Sequence, residues 1–294
     1  MNDLLQDVRS ERDRHETDAP RNALTVDVEE HFQVAAFERQ ISREAWDEHP
    51  SRVVHSTNRV LDVFADHGAR GTFFVLGWVA ERHPDIVHRI VREGHELASH
   101  GYDHTRVIYM DRAAFRNDVS DTRKMLEDIG GVTVRGYRAP SYSIGASNLW
   151  ALDVLQEAGY VYSSSIYPIR HDLYGMPDAP RFAFRIRPDA ILEFPVTTVE
   201  MGGRNFPAGG GGYFRLLPYG VYRWGLRRVN QRDRQPGIFY FHPWEVDPDQ
   251  PRVKDAPLRS RFRHYLNLQN TEARLRRLLS DFDWGRMDEV FNVQ

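Results

Sequence analysis

Between Asn22 and Ser163 the chain switches repeatedly between two hydrophobic periods. Ala23 to Val28 is a short apolar run read as a strand. A loop over 32–50 follows, with Phe32, Val34 and Phe37 as its expected buried points. Val53, Val54, Thr57, Val60, Leu61 and Phe64 then recur at three- and four-residue steps, which predicts a helix from about Ser51 with Gly68 at its end. Gly71 to Leu76 is continuously apolar, the pattern of a strand covered on both faces. Pro84 opens a helix at the position that tolerates proline, carrying Ile86, Val87, Ile90 and Val91 inward until Gly94 stops it. After a strand over Glu96 to Ser99, Asp111 caps a helix presenting Phe115, Val119, Leu126 and Ile129. Val132 to Tyr137 is the next strand, Ser147 caps a helix with Leu149, Trp150, Val154 and Leu155, and Tyr160 to Ser163 is the strand behind it. Strand and helix alternate often enough to argue an α/β fold with a parallel sheet.

The texture changes from Tyr167 to Tyr213, where proline and glycine are dense and Ile191 to Val199 alone reads as a strand. The segment is expected to be ordered loops covering one face, because it holds many aromatics for a linker. Pro218 can start a helix through Val221, Trp224, Leu226 and Val229, and Gly237 to Phe241 is the last buried strand. A final helix, capped near Asn270 or Thr271, sets Leu275, Leu278, Leu279 and Phe282 against Arg274, Arg276 and Arg277. The organisation expected is a flexible tail over 1–21, one domain over 22–245 with a loop insertion at 167–213, and a packed extension over 246–294.

Composition narrows the chemistry. The 39 basic and 42 acidic side chains leave a net charge of −3, which gives nucleic-acid binding no support. With no cysteine, any metal must be held by His, Asp or Glu. Residues 1–21 are polar, without an apolar run long enough for a signal peptide or membrane span. The expected location is therefore the cytoplasm or the inner-membrane periphery.

The chemistry-bearing residues follow apolar strands. His100 and His104, four apart, come directly after Leu97 and Ala98, and Asp27 and Glu29 share a face two apart after Ala23 and Leu24. Arg138 and His242 leave two further strands. Two imidazoles and a carboxylate form a divalent-metal constellation, and in a parallel sheet all strand C-terminal ends lie at one face, where sites are built. Glu29, Glu30 and His31 are open alternatives for the third ligand.

These residues also resemble the NodB-type polysaccharide deacetylases, metal-dependent carbohydrate esterases on a distorted (β/α) barrel. Thr25, Val26, Asp27 is similar to the first motif, Ser99 and His100 through His104 to the second, Arg138, Ala139, Pro140 to the third, and Phe241, His242 to the last. The strings VDVEEHFQV, SSIYPIRHDLYG and FHPWEVDPDQPR resemble more narrowly the subgroup encoded with exosortase and exopolysaccharide loci. Two departures stand out. Val28 sits where the family carries a second aspartate, and Ser163 where an acidic residue belongs to its fourth motif.

The resemblance implies hydrolysis of N-acetyl groups on an amino-sugar polymer. Glu29, His100 and His104 would hold a divalent cation, zinc first among the candidates. Asp27 would be the base, Arg138 its orienting cation and His242 the acid toward the leaving amine. Pro140, Tyr142 and Trp244 would meet the sugar, although Tyr142 and Trp244 read equally as core aromatics. Beside an N-acetylated glycan, the partner left open is membrane-bound polysaccharide synthesis machinery, met at its periphery. Rival readings are an allantoinase-like amidohydrolase on the same fold, an iron oxygenase using two histidines and a carboxylate, and a glycan-binding protein with a silent site. His31, His95 and His171 are expected to be structural or exposed, and Gly209 to Gly212 a flexible loop.

Overall fold

The structure, a computed structural model, describes residues 6–7, 19–172 and 174–293. The tail expected over 1–21 therefore falls largely outside the described residues.

Among the described residues eight strands run parallel. β2 (Asn22–Val28) lies between β3 (Thr72–Val75) and β11 (Ile238–Phe241), and the sheet continues from β3 through β4 (Glu96–Ser99), β5 (Gly136–Tyr137) and β6 (Tyr162–Ser163) to β8 (Leu192–Glu193). At the far edge β7 (Phe184–Arg185) and β1 (Gln6–Asp7) add on antiparallel. β12 (Trp284–Gly285) pairs in parallel with Asn22 and Ala23. The β11 and β1 ends do not pair with each other, so the sheet is a curled half-barrel rather than a closed one. β2 and β3 are buried at every position, as their unbroken apolar runs require when helices cover the sheet.

The helices follow the periodicity closely. α1 (Val53–Asp66), α3 (Pro84–Arg92), α4 (Arg112–Gly130), α5 (Trp150–Glu157) and α7 (Tyr219–Arg228) lie where the apolar stripes put them. The Asp111 carboxylate accepts the Ala114 N–H at 2.8 Å as the cap of α4.

Other expectations are corrected. Ser147 does not cap α5; Asn148 organises that turn by accepting the Gly145 N–H and donating to the Ser143 carbonyl. α9 (Leu268–Asp281) starts before Asn270, after Asn267 in a left-handed conformation. The single strand expected over 191–199 is β8 followed by β9 (Thr198–Met201), which turns back as a hairpin with β10 (Arg204–Pro207). The glycine run over 209–212 is no flexible loop. Gly209–Gly211 are buried, and a Cβ on Gly210 would lie 2.0 Å from the Tyr240 carbonyl oxygen, so glycine lets the start of α6 (Gly211–Leu216) press against β11.

A helix with no sequence signal, α2 (Gly77–Arg82), shapes the site. Its first N–H groups, on Gly77 and Trp78, donate to the carbonyls of Gly101 and Tyr102 at 2.9 Å. Those bonds hold the loop between the two histidines, and they need Gly77, where a Cβ would meet the Tyr102 ring at 2.7 Å. The chain closes with α8 (Leu258–Tyr265), α9 and α10 (Met287–Val290). Among the described residues no helix is long and apolar enough to cross a membrane.

Candidate active site

Parallel register sets the rim. Val26 stands opposite Phe73 and Phe241, and Ser99 opposite Val75 and Tyr137, so the residues just past these strands, Glu29, His100, Arg138 and His242, emerge at one edge of the sheet. They surround a cleft of about 340 Å³ whose lining includes Asp27, Glu29, His100, His104 and His242.

Glu29, His100 and His104 each direct one ligand atom so that all lie within 4.8 Å of one another, and all three residues are buried. Glu29 Oε2 is 2.8 Å from His104 Nε2 and 4.0 Å from His100 Nε2, yet it has no hydrogen-bond partner. His104 reaches this position because its backbone is left-handed, with φ of 58°. His100 Nδ1 lies 2.8 Å from the Arg138 carbonyl oxygen. A carbonyl can only accept, so Nδ1 carries the proton and Nε2 turns its lone pair toward Glu29. Burial, opposed by Asp27 and Glu29, pushes the His100 pKa down to about 4, keeping the ring neutral. The Glu29 carboxyl is driven up by burial, but His104, His242 and His100 outweigh that and hold it far below the usual range. An ionised carboxylate facing an imidazole lone pair in a dry pocket repels it unless a cation lies between them, and two His nitrogens with one carboxylate oxygen suit a zinc-class ion.

Glu30 and His31 are not part of this set. The Glu30 carboxylate accepts from the Arg52 and Val53 N–H groups at the start of α1 and from the Ser51 hydroxyl, a favourable place for an anion. His31 Nδ1 sits 3.5 Å from that same carboxylate.

Asp27, 2% exposed, accepts from Arg138 Nη1 at 2.7 Å. The guanidinium, fully buried, also donates to the Thr25 hydroxyl and to the Ser164 hydroxyl and carbonyl. Burial works against its charge, but Asp27 more than restores it and raises the Arg138 pKa. The next strand brings a carboxylate beside Ser163. Glu193 stands opposite Ser163 in the register and accepts the Ser165 and Ile166 N–H groups at 2.8 Å. Burial pushes its carboxyl up, against the pull of those bonds and of Arg138.

His242 Nε2 faces Glu29 Oε1 at 3.6 Å, while its Nδ1 is 2.8 Å from Glu245. Burial lowers the imidazole pKa, but Glu29 and Glu245 override it and bring it up to about 9. Behind Glu245 stands Arg215 of α6, buried, which donates to that carboxylate and to the carbonyls of Arg263, His264 and Leu266. Glu245 has a local signal, three residues after His242 across Pro243, whose short turn lets the carboxylate reach back. Arg215 and His264 have none.

Of the three residues expected to meet sugar, Tyr142 and Trp244 line the cleft and Pro140 does not. Trp244 is 5% exposed; its ring stacks nearly parallel to His242 and His264, and its Nε1–H donates to Glu29 Oε1 at 3.2 Å. It braces Glu29 rather than offering an open platform. Tyr142 lines the cleft but packs its edges against Tyr167, Tyr174 and Tyr240, a core aromatic with its hydroxyl buried and unpartnered. Pro140 is buried and lies off the cleft lining.

At the C-terminal edge of a parallel sheet the structure gathers two imidazoles, two carboxylates and a buried arginine, a group that could hold a metal ion among them. The comparisons agree: residues 45–163 match the polysaccharide deacetylase family and residues 164–292 match a domain of unknown function. The chain is 34% identical over 98 residues to a peptidoglycan-N-acetylglucosamine deacetylase of Bacillus cereus, a match covering 33% of this chain and 36% of that protein. It is 38% identical over 72 residues to a chitooligosaccharide deacetylase of Rhizobium leguminosarum bv. trifolii, covering 24% and 34%. The chain thus spans only about a third of the length of these relatives. A Mycobacterium smegmatis crystal structure provisionally assigned as a polysaccharide deacetylase superimposes with a TM-score of 0.62 at 19% identity, over 95% of this chain and 92% of that one, which establishes the common fold.

Proposed function

We propose that the protein is a metal-dependent deacetylase that hydrolyses N-acetyl groups on an amino-sugar polymer. The observation that carries this reading is the unpartnered Glu29 oxygen facing His100 and His104 in the same cleft as the Asp27–Arg138 pair. Glu29, His100 and His104 would hold the cation. Bound there, a zinc-class ion supplies Lewis acidity to the acyl oxygen and to water.

The remaining steps belong to the chain's own groups. Asp27, fixed by Arg138, takes the proton of the attacking water. His242, charged at neutral pH by Glu29 and Glu245, gives a proton to the amide nitrogen as the C–N bond breaks, because an amine leaves poorly as an anion. Acetate and a free amino sugar result. One relative is named a peptidoglycan-N-acetylglucosamine deacetylase and the other a chitooligosaccharide deacetylase, which supports that substrate class. The three longer strings noted above support a place in exopolysaccharide synthesis of the exosortase-associated kind, beside membrane-bound synthesis machinery.

The test is acetate release from chitooligosaccharides and from partly N-acetylated exopolysaccharide by zinc-reloaded protein. Activity should vanish with chelator and return with metal. Folded, metal-loaded protein that frees no acetate from any of them would overturn the reading, and dioxygen-dependent turnover with iron would replace it.

A further inference from the structure

At the mouth of the cleft the surface changes character. Leu258 and Phe262, one turn apart on α8, are 81% and 59% exposed, and Leu216 at the end of α6 is 51% exposed. Leu216 and Phe262 both line the cleft, and Phe262, Leu258 and Leu266 also line a shallow depression beside it. One apolar strip therefore runs from the catalytic wall out over α8. Folding gains nothing from leaving such side chains in water, and contiguous exposed apolar strips mark interaction surfaces.

The strip is edged with cations. From Arg252 to Tyr265 there are Arg252, Lys254, Arg259, Arg261 and Arg263 against one carboxylate, Asp255. Asp172 answers Arg259 at 3.1 Å and Arg263 at 3.4 Å, but these side chains are solvent-exposed, where ion pairs contribute little. Since the whole chain carries −3, this positive charge is a local arrangement. Leucine and phenylalanine projecting between arginines on a surface helix match an anionic bilayer, whose acyl boundary takes the apolar side chains while headgroup phosphates take the guanidiniums. A glycan would find little on Leu216 or Leu258, which have no ring to stack on and no polar side-chain atom.

We infer that α8 and the Leu216 rim dock on an anionic lipid surface and seat the mouth of the cleft at the headgroup layer. The inference rests on the deacetylase reading only for what the docked cleft would meet, a glycan held at the membrane. Lipid binding itself needs neither metal nor turnover.

Co-sedimentation of the full chain with sucrose-loaded phosphatidylcholine vesicles, with and without about one-third phosphatidylglycerol, tests it. The protein should pellet with the anionic vesicles at low salt, at least about tenfold more strongly than with neutral ones, and be released as salt rises. Arg259→Gln and Arg261→Gln should each weaken binding about fivefold. Leu258→Asn should weaken it at least as much while deacetylation of a soluble oligosaccharide stays unchanged. Arg227→Gln with Arg228→Gln, on the basic face of α7, should leave binding within about twofold. Absence of binding to anionic vesicles, equal binding to neutral ones, loss only with the α7 pair, or a dimer in solution that Leu258→Asn dissolves would each overturn the inference. Failure of acetate release would leave it standing, so the two readings fail separately.

Discussion

The two halves of the catalytic rim are built differently. On one side Asp27, Glu29, His100 and Arg138 sit on or just past neighbouring parallel strands, and each is placed by the strand it belongs to. On the other side His242 is held by Glu245, Glu245 by Arg215, and Arg215 by carbonyls of α8 and the turn after it. The first half is positioned by sheet register. The second is a relay of buried ion pairs crossing three elements, in which each member depends on the next. A metal-and-base half fixed by register should tolerate changes in its surroundings better than a proton-donating half fixed by charge.

The largest expected effect lies in the register half. Asp27→Asn keeps the shape and an acceptor for Arg138 but removes the base, so kcat for acetate release should fall by about 10²–10⁴-fold with metal content unchanged. Equal loss of metal would place Asp27 in the ligand set instead. In the relay half, Arg215→Met leaves buried Glu245 with His242 alone to answer its charge, which costs up to about 3–5 kcal/mol in denaturant unfolding. Arg215→Lys should recover part of that, and a full-stability Arg215→Met protein would dissolve the contrast. Trp244→Phe keeps the ring but deletes the donor to Glu29, so zinc affinity measured by chelator competition should drop about tenfold.

The smallest effect is one of pH. Burial lowers the His95 pKa to about 4, so between about 6.5 and 4 the unfolded chain binds a proton that the native one refuses. Stability must therefore fall as pH drops through that window. Glu96 and Asp118, raised by burial to about 7, act in the opposite sense between their ordinary values and 7. His95→Gln should thus shrink the loss of stability between pH 6.5 and about 5.5 by about 1 kcal/mol, read from urea midpoints.

The same contrast explains what the sequence disclosed. Strand-end motifs were readable because a strand's period and its end are local, and Glu29 was separable from Glu30 only once α1 was seen to take Glu30 for its N-terminus. α2 was not readable: Leu76 at its N-cap makes no side-chain cap bond, and the partners of its first N–H groups, Gly101 and Tyr102, lie well downstream. Glu193 was hidden because only strand register brings it opposite Ser163. Arg215 looked like any helix arginine, since nothing near it in the chain announces a carboxylate at 245. Whether Trp244 was platform or core stayed open in the sequence, because exposure is a property of neighbours such as His264.

β2 carries Asp27, leads straight into Glu29, and is paired by β11 and β12 from far along the chain. The Met287 N–H even reaches back to the Thr72 hydroxyl at 2.8 Å. Contacts so distant along the chain form slowly, so Asp27 and Glu29 take their places only after the segments bearing β11, β12 and Met287 have docked. Those segments act as a clasp on β2, and their docking sets the pace at which the site is assembled.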